Sequence, residues 1–157
     1  MNSRELVFRT VRFQGAERLP YDFPEPYGSD FFSVGMSPSP DARPPRGVDE
    51  WGAVWSNLGS TRLGEVKEFP LRDWRDFDRL PIPDIHDPRR WQNLAGAREA
   101  AGERFLLADG ISIYERVHFI RGLENTCLHI HEHPQELGRL MDILVEMNFA
   151  AIRHYAS

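Results

Sequence analysis

The sequence predicts a mixed α/β fold, and three observations predict it. A helix predicted from Asp87-Pro88 to about Ala101 is followed, after a short turn, by an apolar strand at 105–110. This succession forms half of a βαβ unit. Every proline except Pro134 lies between residues 20 and 88, so the middle of the chain is predicted to be rich in loops. Helical patterns fill the remaining C-terminal part.

The N-terminal region is predicted to hold one helix and one strand. The helix covers 3–14, where Asn2 or Ser3 caps it and Gly15 ends it. Its apolar positions at helical spacing are Leu6, Val7, Val11 and Phe13. A short strand is then predicted at 19–23, with its proline near the start, where a strand tolerates it.

A loop-rich insertion is predicted over 24–86. Its first part, 24–48, contains six prolines and little periodicity, which is typical of a lid or an inserted segment. Two strand-like segments at 51–55 and 64–69 are expected to pair as a hairpin. A short helix with one apolar face is predicted at 73–80, with Asp73 as its cap.

Three helices are predicted in the C-terminal region, over 112–121, over 124–132 and from Pro134 to about Tyr155. The apolar stripe predicted for the last helix is Leu137, Met141, Leu144, Asn148 and Ile152. Asn148 is the polar member of that stripe, and we interpret it as a half-buried side chain whose hydrogen bonds are satisfied.

Composition excludes several classes of protein. The formal net charge of -5 and the pI of about 5.7 argue against a general affinity for nucleic acid or anionic membranes. No apolar run approaches the roughly 20 residues of a membrane span, and the N-terminal residues do not resemble a secretory signal. The single cysteine, Cys127, permits no internal disulfide, so a reducing cytoplasm is the expected compartment.

Two aspartates follow the two predicted strands. Asp22 lies at the end of 19–23, and Asp109 lies at the end of 105–110. If both strands belong to one parallel sheet, both carboxylates lie at the edge where α/β folds bind ligands. The alternative for Asp109, a turn or helix-capping residue, stays open.

The helix after Gly110 opens with Tyr114, Glu115 and Arg116. Glutamate in a first turn is ordinary, because it complements the helix dipole. Arginine there is not, so Arg116 is expected either to bind an anion or to pair with an aspartate.

The densest group of possible metal ligands is His129, His131 and His133. On a helix, His129 and His133 share a face, as two metal ligands would. The order is not His-Glu-x-x-His, because Glu132 immediately precedes the second ligand. Pro134 follows at once, which places the group at a helix end, where histidine is favourable. We therefore predict a solvated helix terminus and no metal site.

Several short motifs occur in the order found in one known family, and together they cover nearly the whole chain. They lie at residues 2–7, 17–23, 49–52 with Trp55, 64–66, 105–110, 121–124 and 134–137. On these motifs the chain resembles the N-terminal part of the uroporphyrinogen decarboxylase-like superfamily. That superfamily contains the decarboxylase itself and methyltransferases that use corrinoid proteins and thiols such as coenzyme M.

The resemblance implies a (β/α)8 barrel with its ligand cavity at the carboxyl ends of the strands. Because such barrels need about 250 residues, residues 1–157 are expected to be a partial domain with two barrel strands. The chain is more similar to the methyltransferase-like branch than to the true decarboxylase. Where the decarboxylase carries arginines, residues 21–28 contain two acids and no arginine.

The activity implied by the resemblance is methyl transfer between a corrinoid and a thiol acceptor. The implied substrate-binding residues are Asp22, Tyr27, Asp109, Tyr114 and Arg116. No cofactor is expected in this segment, whereas zinc and a corrinoid methyl donor are implied for a full-length relative. The implied partner is a small-molecule substrate or a corrinoid protein.

Two alternatives stay open. The first is decarboxylation of a tetrapyrrole. The second is a non-catalytic piece that folds only by self-association or with a partner half. Two parallel strands leave open edges with unpaired backbone groups, so self-association, most simply as a two-fold dimer, is expected.

Overall fold

The computed structural model describes residues 1–41, 45–57 and 64–156. The α-helices are α1 (Ser3–Val11), α2 (Ala97–Ala101), α3 (Ile113–Arg121), α4 (Leu123–Glu132) and α5 (Pro134–Ala156). The strands are β1 (Phe31–Val34), β2 (Val54–Asn57), β3 (Gly64–Glu68) and β4 (Phe105–Ala108), and 3-10 helices cover Trp74–Arg79 and Pro88–Leu94. The fold is therefore mixed α/β, as predicted. The described strands form two separate two-stranded sheets, and neither closes into a barrel.

The chain divides into two compact units. The first unit comprises Met1–Ser37 and Trp91–Gly110, and the second comprises Pro38–Arg90 and Ile111–Ser157. No described helix is both long enough and apolar enough to cross a bilayer.

A parallel strand pair lies at the centre of the first unit. β1 pairs with β4 in the register Phe31 opposite Phe105. The strand predicted at 19–23 is wrong: that segment makes only an isolated antiparallel bridge between Asp22 and Ser29. Its backbone N–H groups are used elsewhere, since Tyr21 donates to the carboxylate of Asp30. The apolar run at Phe31–Val34 supplies the partner of β4 instead.

Two helices of the first unit deviate from their predicted lengths. Asn2 caps α1 by accepting from the N–H of Glu5 at 2.9 Å, as predicted. The helix stops before Phe13, which has a φ of 55° and is 96% exposed, so Phe13 does not extend the apolar face. The helix predicted from Pro88 to Ala101 is interrupted at Gly96, whose φ of 80° is left-handed and incompatible with a continuing helix.

The strand predicted at 105–110 forms as β4, but it is not buried. Phe105 and Leu106 are half-buried, whereas Leu107 is 41% exposed. Val34 is the buried residue of the pair, and on the opposite face the ring of Phe8 from α1 packs edge-on against Phe105 at 5.4 Å.

The second unit contains the predicted hairpin and short helix. β2 and β3 pair in antiparallel fashion, which confirms the hairpin, and the connecting residues 58–63 lie outside the described residues. The 3-10 helix Trp74–Arg79 is capped by Asp73, which accepts from the N–H of Arg75 at 2.9 Å. Phe77 faces inwards from this helix and is buried.

The three helices predicted at the C-terminus are confirmed as α3, α4 and α5, but the buried face of α5 is rotated from the predicted stripe. Met141 and Ile152 are exposed, because the buried positions are Leu137, Leu140, Leu144, Met147, Ala150 and Ala151. Asn148 is satisfied as predicted. Its side-chain amide exchanges two hydrogen bonds of 3.0 Å with the backbone of Ile111.

Candidate functional site

At the carboxyl end of the parallel pair, the side chain of Asp109 lies close to the backbone of Gly35. Gly35 follows β1, and Asp109 follows β4, donating its N–H to the carbonyl of Val34 at 2.9 Å. A Cβ placed on Gly35 would lie 3.0 Å from Oδ2 of Asp109. The Asn93 side chain donates to the carbonyl of Gly35 at 2.7 Å. Gly35, Asn93 and Asp109 are thus one group, named here the strand-end group.

Sequence reasoning found Asp109 but missed the other two members of the strand-end group. Gly35 could have been found from its position directly after the apolar run at Phe31–Val34. Asn93 carries no comparable local signal, because it bonds a residue 58 positions away.

Asp22 and Tyr27 lie elsewhere in the first unit. Asp22 bridges to Ser29, which precedes the amino end of β1, whereas Asp109 follows the carboxyl end of β4. Because the two strands are parallel, Asp22 is not brought to the edge that carries Asp109. Tyr27 is exposed in a turn, where its N–H donates to the carbonyl of Pro24.

The amino end of β1 is held by a second carboxylate that sequence reasoning missed. Asp30 is buried and accepts two hydrogen bonds from the Arg18 guanidinium, at 2.6 and 2.7 Å. It also accepts from the Ser3 hydroxyl at 2.6 Å and from the N–H of Tyr21 at 2.9 Å. The bonds from Arg18 hold the pKa of Asp30 well below its ordinary value. Asp30 therefore ties α1 and the preceding loop to β1.

Tyr114 and Arg116 belong to the second unit, in the first turns of α3. Tyr114 is exposed, and its ring packs edge-on against His118. Arg116 pairs with Asp49 at 2.8 Å, so the aspartate alternative for this arginine is confirmed. The same carboxylate accepts from the N–H groups of Trp51 at 3.0 Å and of Ala53 at 2.9 Å. This ion pair fixes the backbone turn that leads into β2.

The histidine group is only partly solvated. His131 is exposed, as predicted, but His129 is buried, so the prediction of a solvated terminus is wrong for His129. Nδ1 of His129 lies 3.1 Å from the indole Nε1 of Trp74 and 2.8 Å from Nη2 of Arg121. These partners come from other elements, which is why a reading of the local pattern missed them.

Three side chains of the histidine group place possible metal-ligating atoms within 4.8 Å of one another: His129, Glu132 and His133. Nδ1 of His129 already faces two donors, so the proton of its neutral ring lies on Nε2. Neither ring nitrogen of that histidine then offers a lone pair to an ion. The expectation of no metal site stays a prediction.

Comparison with known proteins adds no relative. No family model matches the chain, and no curated protein or solved structure matches it.

Proposed function

We propose that this chain is the N-terminal segment of a uroporphyrinogen decarboxylase-like barrel enzyme that transfers a methyl group between a corrinoid and a thiol acceptor. The observation that carries the proposal is the strand-end group. β1 and β4 are parallel neighbours joined by a long connection, and Asp109 follows the carboxyl end of β4. Barrel enzymes of this class bind their ligands at that end of the strands.

The chemistry of Asp109 limits the role it can take. A carboxylate is ordinarily a far weaker base than a thiolate, so we assign Asp109 no role in deprotonating the acceptor. As a hydrogen-bond acceptor, however, it suits an amide or hydroxyl group. We assign it the orientation of the bound ligand, with Gly35 leaving room for the Asp109 side chain at the strand end.

A corrinoid, if bound, would supply a methyl group for transfer to the acceptor thiol, and Asp109 is the residue that would hold it. The amide groups at the corrinoid periphery fit the Asp109 carboxylate as donors. A thiol-activating zinc does not fit the first unit, because Cys127 and all six histidines lie outside it in the sequence. No step is therefore assigned to zinc here.

Tetrapyrrole decarboxylation is less well supported. A substrate with several carboxylates needs cations, and residues 21–28 offer Asp22 and Glu25 instead. The nearest preceding arginine, Arg18, is engaged by Asp30.

The proposal is tested by titration of the chain with methylcobalamin, followed by absorbance. Because the chain is proposed to be one segment of the barrel, we expect saturable binding and no turnover with coenzyme M. Asp109→Ala should weaken binding about fivefold, the equivalent of one hydrogen bond of about 1 kcal/mol. The matched control is Asp142→Ala, an exposed aspartate on α5. Absence of binding by the unsubstituted chain, or equal binding by Asp109→Ala, would overturn the proposal.

Self-association is a second candidate role, and the two-stranded sheet favours it. Among the described strands, β1 and β4 pair only with each other, so each keeps one edge without a strand partner. Leu107 adds an exposed apolar side chain on β4. We expect a dimer in sedimentation velocity at micromolar concentration and a shift towards monomer in Leu107→Lys. Leu128→Lys, on α4, should behave as the unsubstituted chain, and a monomer before any substitution contradicts this role.

A further inference from the structure

A buried histidine joins three elements of the second unit. His129 of α4 lies between Trp74 of the 3-10 helix and Arg121 at the end of α3. We name these three side chains the His129 cluster. The guanidinium of Arg121 also lies over the Trp74 ring at 4.2 Å and donates to the carbonyl of Leu71 at 2.6 Å. The cluster thus ties the end of α4 to the segment that precedes Trp74.

The hydrogen bonds of the cluster fix the protonation state of its histidine. An indole N–H and a guanidinium are donors only, so Nδ1 of His129 must accept from both. A ring protonated on Nδ1 as well as on Nε2 would point an N–H at two other donors. The charged form of His129 therefore cannot keep either hydrogen bond.

Charge adds to this incompatibility. Arg121 is 2% exposed, and no carboxylate in the described part of the chain lies within ion-pair distance of it. Its Nε is buried without a hydrogen-bond partner. The acidic group that acts on Arg121 from the 3-10 helix is Asp73, through its charge at longer range. A second positive charge on His129 would therefore stand next to a cation with no close counter-charge.

The groups around His129 act on its protonation in both directions. Burial is the largest cause and lowers the pKa of His129. The positive charges of Arg121 on α3 and of His133 at the end of α4 lower it further. Glu132 on α4 and Glu136 on α5 act in the opposite sense. The net effect is a pKa below the ordinary value of histidine.

We propose that the His129 cluster is an acid-sensitive latch, in which protonation of His129 releases the end of α4 from Trp74 and Arg121 in mildly acidic solution. In neutral solution the ring is uncharged and the latch is closed. A proton binds more tightly to the open form, so acid favours opening.

The primary experiment compares the full chain with two single variants. Asn in place of His129 keeps an acceptor oxygen near the position of Nδ1 but cannot be protonated. His131→Asn removes an exposed histidine from the same helix and serves as the matched control. Amide hydrogen exchange, corrected for its intrinsic pH dependence, is measured at pH 7.5 and pH 5.5.

We expect the amides of 129–133 to lose protection about tenfold at the lower pH in the unsubstituted chain and in His131→Asn, because the open form binds one proton with an ordinary histidine pKa near 6.5. Those of 140–147 in α5 should change much less. In His129→Asn the acid-dependent loss should disappear. Equal pH dependence in His129→Asn and the unsubstituted chain would overturn the latch.

A measurement on the unsubstituted chain keeps the proposal open to test even if His129→Asn does not fold. Nitrogen-15 spectra of the histidine rings should show His129 at pH 7.5 as the neutral tautomer with its proton on Nε2. It should titrate below the ordinary pKa of histidine, near 6.5. A charged ring, a proton on Nδ1, or a pKa of His129 at or above that ordinary value would exclude the latch.

Discussion

Each unit contains a buried titratable side chain at the centre of a hydrogen-bonded group, and the two groups differ in what a proton does to them. Asp30 in the first unit faces donors, among them a cation, that bind its charged form. His129 in the second unit faces donors that bind only its neutral form. The pKa is lowered in both, but for Asp30 this reflects a partnered charge and for His129 an excluded one. The direction of a pKa shift alone would not distinguish the two.

The largest expected effect comes from removing an apolar side chain from the core of the second unit. Leu144 on α5 is fully buried, so Leu144→Ala should lower the free energy of unfolding by about 2–5 kcal/mol through lost burial and a cavity. Met141→Ala, on the exposed side of the same helix, should change it by less than about 0.5 kcal/mol. Urea denaturation measures both. Similar losses in the two variants would contradict the observed orientation of α5.

Breaking the group around Asp30 should have the next largest effect. Asp30→Asn removes the charge that Arg18 and the Ser3 hydroxyl bind, and we expect a loss of about 2–3 kcal/mol in urea denaturation. Asp22→Asn, on an exposed carboxylate in the same loop, is the matched control and should be nearly neutral. If Asp30→Asn leaves the free energy of unfolding unchanged, this carboxylate is not what holds the amino end of β1.

The comparison predicts an order of events on acidification. The stabilisation from neutral His129 is present above its unfolded pKa near 6.5 and is lost as the pH falls below it. The stabilisation from charged Asp30 is present above its unfolded pKa near 3.9 and is lost as the pH falls below that value. Denaturation midpoints measured from pH 8 to pH 3 should therefore fall in two stages. His129→Asn should remove the first stage, and Asp30→Asn should remove the second.

The smallest expected effect is a change in the titration of one ring. Arg121→Met replaces the buried cation by an apolar side chain of similar length, which removes a positive charge beside His129. The pKa of His129 should then rise, as followed by its ring resonances. An unchanged pKa of His129 would indicate that burial alone sets it.

The sequence predicted the elements whose signals are local. The cap at Asn2, the cap at Asp73 and the helical periodicity of α3 to α5 all depend on residues within one or two turns of each other. The hairpin of β2 and β3 likewise joins neighbouring segments.

The failures involve partners that are distant in the sequence. β1 has only four residues, and its strand partner begins 74 positions later, at Phe105 opposite Phe31. The strand was therefore predicted at 19–23, where the N–H of Tyr21 instead donates to Asp30 and that of Phe23 to the carbonyl of Gly28. The same distance explains His129, whose environment is set by Trp74, 55 residues away. No spacing rule connects such positions, because packing alone brings them together.

Gly35 has a consequence for how the strand end could change over time. A methyl group at this position would meet Oδ2 of Asp109 at 3.0 Å and its Cβ at 3.2 Å, so one of the two backbones or the carboxylate must shift by a few tenths of an ångström. The position of the carboxylate is thus limited by the residue that follows the neighbouring strand. A single change at position 35 could redirect the Asp109 side chain while leaving its chemistry intact, which gives this edge of the sheet a route to a different ligand without loss of its charged group.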